Sequence, residues 1–97
     1  MNAADKKATL LEKENVAGLQ FPEEEVLNSQ EAIKQRMFDL VRATTLGNIE
    51  HGKIKIIFED ACGLKAVETT IWGITDKQII LKRGVVIPIN RICEVRI

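Results

Sequence analysis

Between residues 53 and 59 apolar and charged positions alternate. Ile54, Ile56 and Phe58 share one face, and Lys53, Lys55, Ile57 and Glu59 share the other. A period of two over this length predicts a strand with one buried face. Asp60-Ala61-Cys62-Gly63 follows and reads as a hairpin turn, with Gly63 supplying a positive φ. The next run, Val67 to Thr75, is rich in β-branched residues and holds the only tryptophan, Trp72. Its apolar residues change face part-way: Val67 and Ile71 point one way, Trp72 and Ile74 the other. Gly73 stands at that switch and predicts a bend, because a flat strand needs cover on both faces and a short chain has little to give. Thr75 to Gln78 is a second turn and residues 78–82 a short strand. Arg83-Gly84 is a third turn. The strand over 85–89 contains Pro88, which has no N–H to donate and belongs at an edge or bulge. Asn90-Arg91-Ile92 reads as one helical turn, and residues 93–97 close the chain as a last strand.

Upstream, the period changes to that of a helix. Ile33, Met37, Leu40 and Val41 fall at i, i+4, i+7 and i+8, and Phe38 broadens the stripe. Asn28 is the expected N-cap, with Glu31 three residues on as in a capping box. The helix is expected to stop at Thr44–Leu46, with Gly47 as the left-handed stop. Such a stripe needs a partner, either the β domain or a second copy of itself. Residues 1–21 show no sustained period and read as a flexible tail, leaving residues 22–97 as the folded domain.

The pattern therefore predicts an α+β domain: one N-terminal helix packed on a five-stranded antiparallel small barrel. The order of elements resembles the SH3-like and Sm-like small barrels over about residues 29–97. The likeness lies in the helix, the alternating first strand, the bent second strand and the closing run Ile87-Pro88-Ile89-Asn90-Arg91-Ile92-Cys93-Glu94-Val95. The β region also resembles that of short bacterial proteins. The likeness to Sm-like barrels implies RNA binding as one expectation. However, the glycine-rich and aspartate-containing signatures of the Sm uridine site are absent, so none of that site's residues carries over.

Composition narrows the chemistry. The chain has 97 residues, enough for one domain, and its core must be aliphatic because only three Phe and one Trp are present. Formal net charge is zero; residues 1–49 hold six basic and eight acidic groups, and residues 50–97 hold eight and six. That balance is unlike a dedicated nucleic-acid binder. No apolar run spans a bilayer and no apolar leader opens the chain, so the expectation is no membrane and a cytoplasmic location. His51 is the lone histidine and reads as a solvated loop residue. Cys62 and Cys93 fit no zinc or redox spacing; Cys93 reads as a core thiol and Cys62 as a turn residue. Glu59, Asp60 and Glu68 read as solvated turn and strand residues. No nucleophile, phosphate loop or metal set is present, so neither an enzyme nor a cofactor is expected. Trp72 reads as core, with an exposed ligand surface beside Thr69 and Thr70 as the alternative.

The leading expectation is a non-enzymatic binding or assembly module acting through a protein partner or a second copy. Its interaction residues are Met37 and Leu40 on the helix and Ile57, Ile80 and Val86 on the outer faces of strands. The alternative is nucleic-acid binding, with Lys53, Lys55, Lys82, Arg83 and Arg91 as phosphate contacts. Interleaved Glu50, Glu59, Glu68 and Glu94 oppose a continuous positive face.

Overall fold

The computed structural model describes residues 8–50 and 52–97. Its strands are β1 (Thr9–Leu11), β2 (Ile54–Asp60), β3 (Gly63–Thr69), β4 (Ile71–Ile74), β5 (Gln78–Leu81), β6 (Val86–Pro88) and β7 (Ile92–Arg96), and its one α-helix is α1 (Gln30–Glu50). They form a four-stranded sheet in the order β1-β3-β2-β7 and a three-stranded sheet in the order β4-β5-β6. Only the β1–β3 pair is parallel. The expected five-stranded barrel is therefore corrected: the described residues form two sheets and no closed barrel. The long second strand is broken at Thr70, which lies in no strand, so β3 belongs to one sheet and β4 to the other. Likewise a 3₁₀ turn at Ile89–Arg91 carries the chain from β6 to β7. At β6, Pro88 withholds a donor that a further ladder would need.

The bend foreseen at Gly73 therefore falls at Thr70, and the β4–β5 register slips between Ile71 and Gly73. That slip leaves Ile71 fully buried and turns Trp72 outward at 51% exposure, so Trp72 is not the core residue the sequence suggests. Phe58, Ile56, Val67, Ile71, Ile79, Leu81, Ile87 and Ile92, from both sheets, fill one aliphatic core. The first hairpin forms as expected. Asp60 pairs with Gly63 across it, and Asp60 Oδ1 accepts from the N–H groups of Cys62 and Gly63 at 2.8 and 2.9 Å.

Helix α1 differs from its expected form at both ends. Ser29, not Asn28, caps it, its Oγ accepting from the Ala32 N–H at 3.0 Å. At the other end the helix runs through Gly47 to Glu50. Gly47 is there for approach, not termination: a Cβ on it would lie 2.8 Å from the Ile71 carbonyl oxygen and 2.9 Å from Thr70 Cγ2. The missing side chain lets α1 lie against β4 where the Ile71 carbonyl faces the helix. A helix laid there covers a strand edge that would otherwise stay open.

Residues 8–21 were expected in a tail, yet the described part is built into the domain. Thr9, Leu10 and Leu11 pair with Lys65, Ala66 and Val67. A 3₁₀ segment over Lys13–Gly18 then buries Val16 in the core. The Ala61 N–H donates to Gln20 O at 2.9 Å, and the Phe21 ring sits 5.9 Å from that of Phe58.

Candidate functional site

The inner face of α1 is formed by Arg36, Leu40, Ala43, Thr44 and Gly47, all buried. At 100° per residue, Phe38, Val41, Thr45 and Ile49 fall on the opposite side within an arc of about 80°. Phe38 is 56% exposed, Val41 49% and Ile49 72%. The helix thus buries one stripe and presents a second apolar stripe to solvent. Glu31, Lys34 and Arg42, all exposed, border it with both signs of charge. A surface helix needs only one apolar stripe to fold, so the outer one has no role within the domain.

The expected interaction residues are therefore redistributed. Leu40 is fully buried and Met37 packs on the core, so neither belongs to the outer face. Ile57 is 4% exposed, shielded on the central strand β2 between Ala66 and Glu94. Ile80 is half-buried and Val86 exposed, and they face each other across the β5–β6 ladder. The signal missed is the width of the apolar pattern on α1. The i, i+4, i+7, i+8 stripe groups Val41 with Leu40, although adjacent residues on a helix lie about 100° apart.

The expected phosphate contacts also separate. Arg91 is buried: its Nη2 is 3.1 Å from Glu59 Oε1, its Nε donates to Glu59 O and its Nη1 to Glu24 O. Lys55 stands between Glu68 on β3 and Arg96 on β7, and Arg96 is itself bonded to Glu94 at 2.8 Å, so acidic groups interrupt that face. Lys53 and Lys82 do approach one end of the molecule. There, Thr70 O accepts from the Lys82 N–H, and Thr70 Oγ1 donates to Gly52 O. Arg83 follows directly, exposed. His51 lies outside the described residues.

A cleft of about 680 Å³ lies between residues 21–25, α1 and the turn at Asp76–Gln78. Arg36 reaches it but is already committed. Its Nη1 and Nη2 each donate to Glu25 at 2.6 Å, and Nη1 also reaches Ile92 O at 3.2 Å, while its buried Nε finds no acceptor. Arg36 holds the Glu25 carboxyl below its ordinary value of 4.5, outweighing the opposing effect of burial. For Asp60 burial pushes upward, but hydrogen bonds from Cys62, Lys65 and Gly63 together leave the carboxyl below its ordinary value. Burial raises the Cys93 thiol, the opposite of what a nucleophilic cysteine requires. Cys62 is exposed and both thiols are free. Among the described residues no three His, Cys, Asp or Glu side chains gather as metal ligands, and no helix is long and apolar enough to cross a membrane. No family model, curated protein or solved structure matches the chain.

Proposed function

We propose that the chain is a non-enzymatic assembly module that pairs with a second copy of itself through the outer face of α1. The observation that carries this is the second apolar stripe, Phe38, Val41 and Ile49, opposite a helix face that already fills the core. Both signs of charge border the stripe and the formal net charge is zero, so two copies meet without long-range repulsion. An antiparallel pairing of the stripe with itself sets Phe38 of one copy against Ile49 of the other and Val41 near Thr45. From Phe38 to Ile49 the stripe is only about 17 Å long. It offers less than the roughly 800 Å² per partner of a durable interface, so the pairing is reversible, with a dissociation constant of roughly 10 µM to 1 mM.

Sedimentation velocity over a concentration series up to about 1 mM tests this. A dimer that grows with concentration is expected, and Phe38→Glu should abolish it while the far-UV spectrum is kept. A protein that stays monomeric throughout sinks the reading. Leu40→Glu is the control: it places a charge in the core and should unfold the domain.

A further inference from the structure

A second surface lies beside β6. A groove of about 460 Å³ runs there, with Val16, Leu19 and Phe21 on one wall, Val85 and Val86 on the other and Arg83 at its mouth. β6 is the outer strand of its sheet. The Leu81 N–H donates to Val85 O and the Ile89 N–H to Lys77 O, while Ile79 stands opposite Ile87. These three pairs share one parity. Residues 85, 87 and 89 therefore turn their backbone groups toward β5, and Val86 turns its N–H and C=O away from it. Among the described residues neither group is hydrogen-bonded elsewhere. The edge is short by construction, since Pro88 ends it. Arg83 is exposed, is in none of the ion pairs of the described residues, and is held at φ 71°, a backbone region that favours glycine. Lys82 beside it is exposed as well.

We propose that this edge receives the C-terminal end of an extended peptide, with an aliphatic side chain in the groove and the terminal carboxylate on Arg83. The free N–H and C=O of Val86 supply the main-chain pair by which a strand adds to a sheet edge. Direction follows from the geometry. A strand laid antiparallel on β6 brings its C-terminus to the Arg83–Gly84 end, where an unpaired guanidinium stands, and Pro88 closes the other end. Charge complementarity thus selects a carboxylate, and the groove wall selects a branched aliphatic side chain. This surface is separate from the outer face of α1.

The test is fluorescence anisotropy with the labelled peptide Gly-Ser-Gly-Thr-Ile-Val, as free acid and as C-terminal amide. The acid should bind saturably, and the amide roughly tenfold more weakly. Arg83→Gly should weaken the acid by a similar factor without lowering the melting temperature, because glycine fits the positive φ. Phe38→Glu should leave binding unchanged, which separates this surface from self-association. No saturable binding of the acid up to about 1 mM overturns the proposal. So does equal affinity for acid and amide, or full binding by a folded Arg83→Gly variant.

Discussion

Arg36 occupies a place that the helical period reserves for an apolar side chain, three residues after Ile33 and four before Leu40. Its guanidinium is tolerated there because Glu25 meets it with two bonds and Ile92 O with a third. Replacing the carboxylate by an amide removes the countercharge and exchanges one of its two acceptor oxygens for an N–H donor facing the buried guanidinium. Glu25→Gln should therefore cost about 2 kcal/mol in urea unfolding, a value at the low end for such pairs because Glu25 itself is partly solvated. The same contact sets an acid dependence. A carboxyl whose folded value is depressed stabilises the fold above its unfolded value of 4.5 and loses that contribution as the pH falls through its folded value. Asp60 acts in the same sense from 3.8. Melting temperature should thus fall below about pH 4.5, and Glu25→Gln should flatten part of that fall. An unchanged profile in the variant would show that Glu25 is not held by Arg36 in solution. None of this was legible in the sequence. The pairing joins residues 11 and 56 positions apart, and no local pattern announces it.

Gly47 shows how an element can be read with the right residue and the wrong reason. From the sequence it ends the helix; in the structure it is an interior helical residue pressed on β4. The two roles predict opposite signs for Gly47→Ala. Helix propensity alone would stabilise by about 1 kcal/mol. A methyl group 2.8 Å from the Ile71 carbonyl must instead push helix and strand apart, at a cost of about 1–3 kcal/mol. Net destabilisation in urea unfolding is expected, and a more stable variant would mean that α1 does not lie this close. Elements defined by contiguous residues were the legible ones. The β2–β3 hairpin is written in the alternation of Ile54, Ile56 and Phe58 and in the Asp60–Gly63 turn. β1 was not legible, because Thr9–Leu11 is a strand only by virtue of lying beside β3. Val16, Leu19 and Phe21 show no period because each meets a different surface. The grouping of strands into two sheets was also hidden, since the break falls on Thr70, a good strand residue, and not on Gly73 three residues later.

Across the molecule, charge and apolar surface are distributed in ways that separate the two functional readings. Arg91, the most central of the expected phosphate contacts, is consumed by Glu59 and Glu24. Lys55 lies between Glu68 and Arg96, and Arg96 is itself bonded to Glu94. Only Lys53, Lys82 and Arg83 remain at one end, too few for a polyanion track. Labelled random single-stranded RNA should therefore show at most a shallow salt dependence, with a log–log slope of about −2, from the three or fewer phosphates that end could neutralise. A steep slope would show that these cations converge after all and would restore the nucleic-acid reading. The proposed self-association through α1 should behave differently, because apolar contact is not screened. Dimerisation should keep its strength between low and moderate salt and carry a negative heat-capacity change. If it instead weakens steeply with salt, the contact is made by Lys34, Arg42 and Glu31, and the apolar stripe is not what joins the copies.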